Sequence, residues 1–162
     1  MPALEAHGIT VDLPRGFEGR IFIRRPLTGV AYPVAQFATF PLPAEVGDFG
    51  GGAVDLMGPG DIFAALFEYG PESIGKRLFA RQGRPTSLEA NDFSPMTLRR
   101  GLPGQSGTQR FFTESGRPFT FYAVLGSHAL RSSLVTKVNA ILESLTLQQP
   151  VPAMSPQGPT WN

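Results

Sequence analysis

The chain has 162 residues, of which 41% are hydrophobic and 17% charged, and its formal net charge is +1. That is enough chain for one globular domain with a real hydrophobic core, and no apolar run approaches the ~20 residues that a membrane-spanning helix needs. Cysteine is absent, which excludes disulfides and thiolate metal sites.

The first third reads as β structure. In His7-Gly8-Ile9-Thr10-Val11-Asp12-Leu13 apolar residues alternate at Ile9, Val11 and Leu13, and Pro14 and Gly16 break the run; this is a half-buried strand ending in a turn. Arg20 to Arg24 is a second strand, with Ile21 and Ile23 on one face and Phe22 among arginines on the other. Val34 to Phe40 is a third, apolar on both faces as a central strand is. Residues 47 to 60 hold six glycines. A helix is then expected, with Asp61 as cap and Ile62, Phe63, Leu66, Phe67 and Tyr69 on a broad apolar face, stopped by Gly70-Pro71. A second short helix is expected over Glu72 to Phe79, and an ordered loop with one helical turn over 83–106.

A hairpin follows. Thr108 to Glu114 and Arg117 to Leu125 flank Ser115-Gly116, a two-residue connection that fits a tight turn. Glu114 and Arg117 are expected to pair across it, and Phe119, Phe121, Ala123 and Leu125 share a face. Pro118 lacks a donor, which is harmless where no third strand needs one. The clearest helix spans residues 130–145, with Ser127 as cap and Leu134, Val138, Ile141, Leu142 and Leu145 on the face that packs on the sheet. The order of elements predicts an α+β fold, an antiparallel sheet flanked by helices, over residues 1–147. Residues 148–162 carry prolines at 150, 152, 156 and 159 and form a Pro-rich tail.

The segments GITVDLPRGFEGRI and VNAILESLTL resemble the two ends of the PsbP-like superfamily, the α/β/α sandwich of DcrB-like and LpqN-like proteins. Leu13, Pro14, Arg15, Gly16 and Phe17 match its opening, and Ile141, Leu142, Glu143, Ser144 and Leu145 its closing helix. The resemblance implies a binding role without catalytic residues. Members of the LpqN type carry a signal peptide and a lipidated cysteine, and this sequence has neither. The expected location is cytoplasmic.

Motifs for chemistry are sparse. The run Gly47-Asp48-Phe49-Gly50-Gly51-Gly52 precedes an expected helix, yet neither phosphate-loop spacing is present. Gly104-Gln105-Ser106-Gly107 approaches a nucleophile elbow but fails at Thr108. A catalytic triad would need His128 as base, and His128 reads as a surface residue at the start of the last helix. Two histidines make zinc a poor fit, and no loop has calcium spacing. Twelve of the fourteen basic residues are arginines, scattered rather than striped, so nucleic-acid binding is not expected.

The function expected from these features is a non-catalytic protein-interaction module. It would be a subunit, adaptor or chaperone of a larger bacterial assembly, a secretion or contractile machine being one such setting. It would use no cofactor and no metal, and its partners would be other proteins or copies of itself. Phe49 and Phe93, in glycine- and proline-containing loops, and Val151, Met154 and Trp161 of the tail are the expected contact residues. The alternatives are a carrier of a small apolar ligand and a small hydrolase.

Overall fold

The computed structural model describes residues 3–24, 30–44, 53–98 and 102–149. Seven strands come in chain order before the helix: β1 (Ala3–Ala6), β2 (Ile9–Asp12), β3 (Glu18–Arg24), β4 (Tyr32–Ala38), β5 (Ile62–Glu68), β6 (Ser106–Glu114) and β7 (Arg117–Leu125). Helix α1 (Arg131–Ser144) and strand β8 (Leu145–Leu147) close the series. All pairings are antiparallel, in a three-stranded sheet ordered β1-β2-β8 and a five-stranded sheet ordered β3-β4-β5-β7-β6. The fold is α+β, with the sheets flanked by the helix.

The five-stranded sheet is apolar on both faces. One face, with Phe37, Leu66, Phe119, Phe121 and Leu125, packs against Leu134, Val138, Ile141 and Leu142 of α1 and against Ile9, Val11, Leu145 and Leu147 of the small sheet. The other face, with Val34, Phe63, Phe67, Tyr122 and Val124, is covered by irregular chain that includes Phe40, Ala53 and Val54. Leu134, Val138, Ile141 and Leu145 are all buried, as the helical spacing predicts. The helix itself stops at Ser144, because Leu145 and Leu147 pair with Val11 and Ile9 of β2. Ser127 accepts a hydrogen bond from the Leu130 N–H at 3.3 Å, in the turn that leads into α1 rather than in its first turn. Leu134→Ala should cost about 2–5 kcal/mol, read from denaturant unfolding, because a buried leucine leaves both lost transfer energy and a cavity. A loss below ~1 kcal/mol would mean that α1 does not seal this face.

The hairpin forms as its turn residues require. Ser115 and Gly116 both have positive φ, 54° and 72°, the conformation that matches the twist of the flanking strands. The β5 ladder ends at Glu68 opposite Phe119, and Tyr69 then donates to the Pro118 carbonyl at 2.8 Å. That last bond needs only the carbonyl of Pro118.

Two expected helices are absent, for physical reasons. The run from Ile62 to Phe67 is strand β5, almost wholly buried between β4 and β7. Its residues are apolar toward both faces, which suits a central strand as well as a helix. Asp61 caps nothing helical; its Oδ2 accepts the Gly58 N–H at 2.8 Å and its Oδ1 the Thr39 hydroxyl at 3.0 Å. Residues 72–79 hold two short 3₁₀ turns, Pro71–Ser73 and Arg77–Phe79, separated by Gly75 at φ 87°. The described part of the loop over 83–106 contains two such turns, Ala90–Asp92 and Pro95–Thr97.

Glu114 and Arg117 are register partners but do not form the expected ion pair. Glu114 takes Arg84, at 2.7 Å, and Arg117 takes Glu68, at 2.6 Å. The Arg117 guanidinium is buried on the side of the sheet where Glu68 and three main-chain carbonyls converge, so it reaches five acceptors there.

Candidate functional site

The residues with catalytic potential do not assemble. Ser106 is fully buried, and its Oγ has no hydrogen-bond partner. The Nδ1 of His128 is likewise buried and without a partner, so no hydrogen bond links the two. The backbone of His128 instead donates to the Gly104 carbonyl at 2.6 Å. Among the described residues, no three acidic or histidine side chains lie together as a metal ion would require. No helix among them is long and apolar enough to cross a membrane.

Phe93, expected on the surface as a contact residue, is 3% exposed and belongs to the core beneath α1. The correction has a simple cause: the turn Ala90–Asp92 folds the loop inward, and Ser94 bonds to β6, which carries the ring under the sheet. Phe49, Val151, Met154 and Trp161 lie outside the described residues, as does the glycine run at 47–52.

An open cleft of about 400 Å³ lies between the turn at Pro14–Phe17, the sheet end at Thr39 and Asp61, and Lys137 on α1. That volume is within the range of small-molecule sites. Asp61, the carboxylate in its lining, accepts one hydrogen bond at each oxygen, from Gly58 and from Thr39. Its lining mixes the charges of Arg15, Lys137 and Asp61 with apolar surface from Pro14, Phe17 and Ala140.

The most distinctive feature is a difference between the two edges of the five-stranded sheet. An antiparallel strand turns alternate residues' main-chain groups outward. On β6 the outward residues are Gly107, Gln109, Phe111 and Thr113, and the chain covers the first and the last. Gly107 exchanges two hydrogen bonds with Ser94, at 3.0 and 2.9 Å. Thr113 donates to Arg81 at 2.8 Å and accepts from Gly83 at 2.7 Å. Two isolated bridges thus cap this edge at either end.

On β3 the phase follows from β4. Thr39 donates to Ile62 at 3.1 Å, so odd-numbered residues of β4 bond to β5 and even-numbered ones to β3. Through the register Glu18↔Ala38 to Arg24↔Tyr32, the even residues of β3 bond inward. Gly19, Ile21 and Ile23 therefore present their N–H and C=O groups outward. Among the described residues, none of these groups is hydrogen-bonded; β1 lies close by but pairs with β2 alone. The strand is nonetheless held firmly, since Ile21 packs on the helix-side core and Phe22 on the opposite one. Arg20 is fixed by Gln36, at 2.9 Å, and by the Pro43 carbonyl, at 2.8 Å.

Sequence reasoning finds β3 as a strand but not as an open edge. The one local signal is composition: the run Ile21-Phe22-Ile23 is flanked by Arg20 and Arg24, and in the structure none of the strand's residues is fully buried. Comparisons with models of known protein families, with curated proteins and with solved structures found no match.

Proposed function

We propose that the protein is a non-catalytic interaction module, a subunit or adaptor of a larger assembly, that joins its partner strand to strand along β3. One observation carries this reading: among the described residues, the chain caps both ends of the β6 edge with main-chain hydrogen bonds and bonds nothing to the outward groups of β3. Exposed edges template pairing with other chains, and strand addition is a recurring mode of protein recognition. The burial of Ser106 supports a binding role over a hydrolytic one. The scattered arginines favour a protein partner over nucleic acid. The PsbP-like resemblance points the same way, since binding is that superfamily's common theme.

The test is Ile23→Pro. The Ile23 N–H points outward, so proline there removes no hydrogen bond of the fold but deletes a donor that an added strand needs. Purified from its native host, the wild-type protein should carry a stoichiometric protein partner, or a second copy of itself, that Ile23→Pro loses while keeping its circular-dichroism spectrum. A folded Ile23→Pro protein that retains the same partner would remove β3 from the interface.

A further inference from the structure

We propose that the strand added to β3 is the β3 of a second copy, in one defined register, so that two five-stranded sheets join into a continuous antiparallel sheet. This rests on the interaction-module reading and names its partner. A two-fold axis perpendicular to the sheet places two β3 strands antiparallel, with the same patch contributed by both.

The register follows from which groups are free. Only Gly19, Ile21 and Ile23 face outward, so hydrogen-bonded pairs must be drawn from them. Placing Ile21 opposite Ile21 of the second copy puts Gly19 opposite Ile23 twice. That makes three hydrogen-bonded pairs, two bonds each, six in all, and leaves none of the outward groups unused. In the intervening pairs, where side chains approach most closely, Glu18 meets Arg24 twice and Arg20 meets Phe22 twice. The first is an opposite-charge pair and the second a cation–aromatic pair; within one chain Arg20 already lies 5.8 Å from the Phe22 ring.

Neighbouring registers are disfavoured by the same side chains. Sliding the strands so that Gly19 faces Ile21 sets Arg20 against Arg20. Sliding the other way, so that Ile21 faces Ile23, sets Arg20 against Arg24 twice. Like charges directly opposite are destabilising, and either slip also strands one outward residue without a partner. The charges of β3 thus act both for one register and against its alternatives. All the charged members lie on one face, with Phe22, and the isoleucines meet on the other.

The experiment exploits the pairing of Glu18 with Arg24. Sedimentation should show the wild-type full chain dimerising with rising concentration, with the amides of Gly19, Ile21 and Ile23 becoming protected from hydrogen exchange. Glu18→Arg alone sets two arginines against two others, and Arg24→Glu alone sets glutamate against glutamate. Each variant should dimerise about tenfold more weakly than wild type at low salt. Mixed together they restore both opposite-charge pairs and should form a heterodimer of near wild-type affinity, a rescue in trans that a merely structural role would not produce. No rescue on mixing would overturn the register. A protein that stays monomeric, while a co-purifying protein of different sequence protects those same amides, would overturn the second copy and leave the module reading standing. A monomer whose β3 amides are never protected would overturn both.

Discussion

Arg117→Met is expected to destabilise the fold by about 3–5 kcal/mol, the cost of leaving one member of a buried ion pair alone. Arg117 is 3% exposed, and each of its five N–H donors has an acceptor. Nε and Nη2 bind the two Glu68 oxygens, at 3.0 and 2.6 Å. Nη2 also reaches the His7 carbonyl at 2.9 Å, and Nη1 the carbonyls of Gly8 and Gln148 at 3.0 and 3.1 Å. The guanidinium lies 5.0 Å from the Phe119 ring. One side chain thus ties β5 and β7 of the large sheet to one end of the small one, where the β1–β2 turn meets the residue after β8. His7 and Gly8 turn with positive φ, 53° and 75°, and a Cβ on Gly8 would lie 2.7 Å from Arg117 Nη1. Methionine retains much of the volume but strands the Glu68 carboxylate and three carbonyls. The double variant Arg117→Met with Glu68→Met should recover part of the loss, because it removes the uncompensated charge. Guanidinium unfolding of the four proteins in the cycle measures the coupling. A single-variant loss under ~1 kcal/mol would show that the two sheets do not depend on this junction.

Legibility in the sequence follows the range of the interactions concerned. The hairpin and α1 are written locally: a turn pair with the right conformational freedom, and leucines at helical spacing. Strand β5 is not. The residues Ile62-Phe63-Ala64-Ala65-Leu66-Phe67 serve a buried strand or a helix equally well, and β4 and β7 decide between them from at least twenty residues away in sequence. Arg117 shows the same limit. Its sequence neighbour across the turn, Glu114, is the obvious partner, whereas its actual acceptors come from Glu68, His7, Gly8 and Gln148. The segment around Phe93 is rich in turn residues and reads as surface, but a well-folded loop can send an aromatic ring inward as a strand does.

The open edge is the least legible feature of all. Whether β3 lies at the edge depends on the order β3-β4-β5-β7-β6, and whether the other edge is capped depends on Arg81, Gly83 and Ser94 returning to β6. Only the charge pattern of β3 is local. Glu18, Arg20 and Arg24 read as ordinary solvated residues until the phase of the β3–β4 ladder shows which main-chain groups accompany them to the outside. Arginines on an edge commonly serve to discourage pairing. Here the single glutamate, six residues before the last of them, turns the same charges into a selective pattern.

Phe121→Ala should be the most damaging single truncation in the core, at about 3–5 kcal/mol. Phe121 is fully buried at the middle of β7, between Leu66 of β5 and Arg110 of β6. Its ring lies on the face that carries α1 and the small sheet, so three layers lose contact at once. The surrounding strands are held by ladders on both sides and have little freedom to close the void, and the cost rises with the cavity that remains. Phe111, one strand over, is the control. It is half-buried on the opposite face, in a cluster with Tyr69 and Phe79 at ring separations of 6.4 and 5.5 Å, where solvent can replace much of what is removed. Phe111→Ala should therefore cost only about 1 kcal/mol, the scale of one aromatic contact and part of a side chain's burial. Guanidinium titrations with unchanged slope would assign the difference to packing rather than to a changed unfolded state. Equal losses at the two positions would mean that α1 and the small sheet do not form a closed layer over β7.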